Sequence, residues 1–113
     1  MKIYYNPKCS TCVKTLAIVN DKGIEPEIIK YLDNPLSLGD LQELFITLKI
    51  ESAIAMVRVK DDIFKSSGLN DNSSNDELLG LIASNPKLLQ RPIVASSKGA
   101  LICRPPESVE DLL

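Results

Sequence analysis

The stretch Ile3-Tyr4-Tyr5-Asn6-Pro7-Lys8-Cys9-Ser10-Thr11-Cys12-Val13-Lys14-Thr15-Leu16 constrains the chain more than any other. A short β-rich run closes at Asn6-Pro7, and two cysteines follow at C-x-x-C spacing. A helical pattern then continues to about Asp21. Cysteines at i and i+3 share one helix face, a turn apart. Cys9 falls at or just before the first turn, where free N–H groups and the positive end of the helix dipole favour an anion. Such a position lowers the pKa of a thiol, and the thiolate is the reactive form. The rest of the chain therefore reads as a scaffold for Cys9.

The bulk numbers narrow the setting of that thiol. A length of 113 residues with 44% apolar content supports one domain with a single core. No apolar run is long enough to span a bilayer, and Met1 to Asn6 lacks the apolar segment of a secretory signal. Three cysteines, an odd number, without an export signal favour a reducing compartment and thiol chemistry over a disulfide framework. The cytoplasm is the expected location. A net charge of -2 argues against a nucleic-acid surface. The absence of histidine removes His-based catalysis and the commonest metal ligand. Zinc needs a second ligand pair, and only Cys103 remains to offer one, so no metal is expected.

Along the chain, Lys2–Tyr5 reads as a strand and Ser10–Asp21 as a helix. Its apolar stripe is Cys9, Cys12, Leu16 and Val19, widened by Val13 and Ala17. Asp21-Lys22-Gly23 ends that helix. Glu27–Tyr31 reads as a second strand and Asp33-Asn34-Pro35 as a turn. Ser37 and Asp40 resemble a capping box for a helix that turns Leu38, Leu41, Leu44, Phe45 and Leu48 to the core. Glu51–Val59 and Asp61–Ser67 read as short helices, Asn70–Asn75 as a polar turn, and Asp76–Ser84 as a helix stopped by Asn85-Pro86. Pro92–Ala95 and Leu101–Cys103 read as strands of a hairpin about Ser97-Lys98-Gly99, and Pro105-Pro106 opens a last short helix. A β-α-β start implies parallel strands with a right-handed crossover. The expected architecture is a single α/β domain, residues 1–113, with a small mixed sheet, flanking helices and a helical insertion at about 37–84.

The arginines are a second signal. Thirteen basic residues include only three arginines, Arg58, Arg91 and Arg104, and each sits in an apolar context. Arginine is preferred over lysine where a planar fork must bind a carboxylate or oxyanion in a partly buried site. Two alternatives stand for each: a pair with a carboxylate at the core edge, or a share in an oxyanion pocket beside the thiolate. Cys12 likewise reads either as a small buried apolar residue or as a resolving thiol. Cys103, alternating within an apolar strand, is most simply a core residue. Lys8 and Lys14 add positive potential, but as solvated charges their default effect on the thiol is small.

The spaced elements Tyr-x-Asn-Pro-x-Cys-x-Thr, Tyr31-Leu32-Asp33-Asn34-Pro35, Leu89-x-Arg91-Pro92-Ile93-Val94 and Leu101-x-Cys103-Arg104-Pro105 run collinear over essentially the whole chain. Together they resemble the glutaredoxin-coupled arsenate reductase family. The resemblance implies a thioredoxin-like fold and a cis bond at Pro92 facing the cysteine loop. It implies Cys9 as nucleophile and Arg58, Arg91 and Arg104 as the oxyanion-binding set. It further implies arsenate reduction through a Cys9–arsenate adduct, with no bound cofactor and with glutathione as co-substrate. The implied partners are arsenate or a similar oxyanion and glutaredoxin or thioredoxin, with neither nucleic acid nor membrane, and the protein is expected to be a monomer.

Three positions depart from that family. Val13 and Tyr5 stand where the well-studied enzymes carry an arginine and a histidine. Cys12 stands in place of a serine, which is similar to Spx-like regulators. With Cys12 present, the Cys9 adduct could resolve to an internal disulfide and draw electrons from thioredoxin. The alternative function is a thiol–disulfide switch that binds RNA polymerase or another protein.

Overall fold

A computed structural model describes all 113 residues, Met1–Leu113. The chain forms two compact units, Met1–Asn34 with Arg91–Leu113, and Pro35–Gln90.

The first unit carries the sheet. Its strands are β1 (Lys2–Tyr4), β2 (Glu27–Ile29), β3 (Ile93–Ser96) and β4 (Gly99–Ile102), in spatial order β2-β1-β3-β4. β1 and β2 are parallel, joined through helix α1 (Ser10–Asp21), while β1–β3 and β3–β4 are antiparallel. Ile3 lies opposite Val94, and Val94 opposite Leu101, so the pleat aims these three at one face. There Ile3 and Val94 form a core with Val19 of α1, Cys103, and Val109 and Leu112 of the 3-10 helix Pro106–Leu112, against which α1 packs. Each buried aliphatic side chain of this kind stabilises by about 1.5–3 kcal/mol relative to exposure.

α1 begins and ends where expected, but its buried stripe is Cys12, Thr15 and Val19. Val13 is 48% exposed and Ala17 is also on the solvent side. A step of one residue turns a helix by roughly 100°, so the positions following Cys12 and Leu16 rotate away from the core. Thr15 enters the core without leaving a polar group orphaned, because its hydroxyl donates to the Thr11 carbonyl at 2.8 Å. The helix stops at Gly23, whose φ of 77° opens the left-handed region. In the hairpin, Ser96 pairs with Gly99, leaving Ser97 and Lys98 as a two-residue turn. Cys103 lies just past β4 and is fully buried.

The second unit is helical: α2 (Leu38–Leu48), α3 (Asp62–Ser66) and α4 (Asn75–Ser84), with 3-10 turns at Ala53–Met56 and Pro86–Leu88. Both long helices open on reciprocal capping boxes, Ser37 with Asp40 and Ser74 with Glu77. α2 packs on α4; the former buries Leu41, Leu44 and Leu48, the latter Leu78, Leu79 and Ile82. Leu38, expected in the core, is 40% exposed because it occupies the first turn ahead of the packed stretch. The helix expected over Glu51–Val59 shrinks to the 3-10 turn Ala53–Met56. Val57 leaves it to pair with Leu89 in an antiparallel bridge, where long-range pairing overrides local preference. No helix is long and apolar enough to cross a membrane.

Candidate active site

Asn6 and the start of α1 position the thiol. The Asn6 side chain accepts from the Lys8 N–H at 3.0 Å, and its carbonyl accepts from the Cys9 N–H at 3.0 Å. Asparagine bonds the backbone two residues on, which turns the chain out of β1 and into the helix. Cys9 is the N-cap, with extended φ −96° and ψ 118°. It is buried to 7% exposure, and its neutral thiol makes no capping bond of ordinary geometry.

Burial is the largest influence on the Cys9 thiol and opposes ionisation. The Cys12 backbone N–H, the Cys12 thiol and the Arg91 guanidinium together outweigh it, and the pKa falls from 9.0 to about 7. Cys12 moves the other way. Burial first, then the neighbouring Cys9, push it up to about 12 against the favourable backbone of Asn6. One thiol is thus poised as a nucleophile and its neighbour is held as a neutral S–H. Cys103 is also pushed up to about 12, by burial and then by the charge of Asp111.

Arg91 and Arg104 reach this region from the open end of the hairpin. Ile93 pairs with Ile102, and the Cys103 N–H donates to the Pro92 carbonyl at 2.9 Å. One residue further out, Arg104 Nη1 donates to the Arg91 carbonyl at 2.8 Å. Both arginines precede prolines in cis peptide bonds, Arg91–Pro92 and Arg104–Pro105. Arg91 is half-buried, and its Nε is shielded from solvent without a hydrogen-bond partner. An unsatisfied buried donor costs about 1–3 kcal/mol, which an anion accepting from it would offset. Arg104 is exposed.

Arg58 belongs to the second unit. Its backbone N–H donates to the Leu88 carbonyl at 2.7 Å, and its Nη1 donates to the Lys87 carbonyl at 3.5 Å. The chain's one ion pair joins Lys87 to Asp61 at 3.5 Å, so none of the three arginines is bonded to a carboxylate. That observation decides against simple charge pairing at the core edge. Cys9, Cys12, Arg91 and Arg104 all belong to the first unit. No three His, Cys, Asp or Glu side chains converge to hold a metal ion.

Asn6 is a contributor that the strand-and-turn pattern did not single out as more than a strand terminator. Its signal is an asparagine two residues before a backbone N–H at a helix start. A low-pKa thiolate, a neutral thiol beside it and a guanidinium with a free buried donor can together attack an electrophile and hold its negative charge.

The ArsC family pattern matches residues 4–112. An arsenate reductase of Neisseria meningitidis is 45% identical over 114 residues, spanning 100% of this chain and 97% of that protein. An uncharacterised Escherichia coli protein is 40% identical over 100% of this chain and 96% of its own length. Among solved structures, an arsenate reductase from Vibrio cholerae superposes with a TM-score of 0.94 at 40% identity, covering 100% and 98% of the two chains. The fold is the thioredoxin-like α/β arrangement expected from the sequence, a mixed four-stranded sheet with flanking helices. By its match over nearly its full length and its likeness to these relatives, the chain belongs to the ArsC family.

Proposed function

We propose that the protein is a cytoplasmic arsenate reductase in which Cys9 is the nucleophile and Arg91 and Arg104 bind the oxyanion. The observation that carries this is the Cys9 thiol at about 7 with the Arg91 guanidinium beside it. At neutral pH about half of such a thiol is ionised. The thiolate attacks arsenic, an oxygen takes protons and leaves as water, and a sulfur–arsenic bond joins Cys9 to arsenate. Arginine donors offset the repulsion between two anions, and the covalent step splits the reduction into two easier ones. A second thiol then bonds to the Cys9 sulfur. The sulfur–arsenic bond breaks with its electron pair leaving on arsenic, which departs as arsenite, and a disulfide remains.

Glutathione, with glutaredoxin to clear the mixed disulfide, is the donor this reading favours. Burial, the largest cause of the raised Cys12 pKa, persists once Cys9 is bonded to arsenic, so Cys12 stays poorly ionised and a slow attacking group. The proximity of Cys12 to Cys9 supports a second reading, in which a Cys9–Cys12 disulfide serves as a redox switch acting through a protein partner. Arsenate-dependent NADPH oxidation, run with glutathione–glutaredoxin and with thioredoxin, tests both. Turnover that needs glutathione and vanishes in Cys9→Ser is expected. Absence of turnover with either donor system would remove the reductase reading.

A further inference from the structure

The solvent side of the thiol carries a charge pattern of which the reaction uses only Arg104. Residues 1–20 include Lys2, Lys8 and Lys14 and no acidic residue, although the whole chain has a net charge of -2. Lys8, Ser10, Val13, Lys14 and Ala17 are all exposed, as are Arg104 and Pro105 at the open end of the hairpin. None of Lys8, Lys14 and Arg104 is held in an ion pair. Val13, 48% exposed, lies one turn beyond Cys9 and donates its N–H to the Cys9 carbonyl at 3.1 Å. The rim of the thiol is therefore an apolar centre with cations from three segments: the loop, the helix and the hairpin. The one acidic residue of α1 is Asp21, at its far end.

We propose that this rim is a docking surface for a protein reductant whose own thiol is flanked by acidic groups. The proposal rests on the thiol-reductase reading of Cys9. Solvated lysines shift a neighbouring pKa little, yet their potentials add over a multiply charged partner and raise association rates by about 10- to 1,000-fold at low salt. A small thiol at the sulfur meets only the cation nearest its path. An extended acidic surface meets all three while covering Val13. Such a partner also restores the sign balance that the cluster breaks in an acidic protein.

The test uses the native protein and peptides of equal length. Each carries one cysteine, as a mixed disulfide with nitrothiobenzoate, flanked by acidic, neutral or basic residues. The Cys9 thiolate attacks the peptide sulfur, a Cys9–peptide disulfide forms, and the coloured thiolate leaves, so rates are read directly. The acidic peptide is expected to react about ten times faster than the neutral one at low salt, with the preference lost near 1 M salt. In Lys8→Glu/Lys14→Glu the acidic preference is expected to disappear while the neutral rate is kept. Equal rates for the three peptides at low salt would overturn the proposal. So would an equal acidic advantage for the small glutathione mixed disulfide, which would assign the rim to a small anionic thiol. Failure of the neutral peptide to react would instead count against Cys9 as a reactive thiol.

Discussion

Cys12→Ala asks whether the second thiol acts as a hydrogen-bond donor to the first. The substitution removes the S–H that favours the Cys9 thiolate but keeps the Cys12 backbone N–H and Arg91. A hydrogen bond to a charged group contributes about 1.5–3 kcal/mol, and each pKa unit corresponds to about 1.4 kcal/mol. Because the remaining donors take up part of the charge, the lower end applies, and Cys9 should rise from about 7 to about 8. At neutral pH the ionised fraction then falls from about one half to about one tenth. Cys12→Ser, with a hydroxyl donor in the same place, should leave Cys9 near its original value. The pH dependence of iodoacetamide alkylation at Cys9, read by mass spectrometry, gives both midpoints. Far-ultraviolet circular dichroism verifies that each variant is folded. A Cys9 midpoint unchanged in Cys12→Ala would refute the donor role and leave Arg91 and the helix start as the cause.

Alkylation of the unmodified protein should proceed at Cys9 with a midpoint near 7, while Cys12 and Cys103, each pushed up to about 12, stay protected in the folded state; peptide mapping after a pH series reads this. Because the folded-state value of Cys9 lies below the ordinary 9.0, its ionisation stabilises the fold above that pH, and the gain is lost as pH falls through about 7. The difference in urea midpoint between the protein and Cys9→Ser should follow that window, by on the order of 1 kcal/mol. Ser37→Ala and Ser74→Ala should each lower stability by about 1 kcal/mol through loss of a reciprocal cap. Urea unfolding measures it, and an unchanged midpoint in both would deny the caps an energetic role.

The elements that were legible in the sequence are those specified by local chemistry. α1, from Ser10 to Asp21, has a periodic stripe and a glycine stop, and α2 has its capping box written out as Ser37 and Asp40. The hairpin turn is marked by Ser97-Lys98-Gly99 and closes on two of those residues. What was not legible depends on partners remote in the chain. Ala53–Met56 looked like part of a longer helix because nothing nearby announces that Val57 pairs with Leu89. Val13 and Ala17 looked like core because the stripe could be centred on either side of Cys12 until the 3-10 helix Pro106–Leu112 packed against one of them. At the site, Cys9 followed from helix-terminus electrostatics. The depth of Cys12, and hence its neutral state, comes from tertiary burial. The cis bond at Pro105 was likewise unannounced by its neighbours.

The hairpin also behaves as a gauge. Arg91 and Arg104 each stand two residues beyond the Ile93–Ile102 rung, so equal lengths of strand separate them from the turn. A change of register by a single residue would exchange the two faces of the ladder and carry the guanidiniums to different sides. The spacing of two charges at one end of the molecule is thereby measured out at the other, by Ser97 and Lys98. Inserting one residue into that turn leaves every site side chain in the chain and still uncouples the pair.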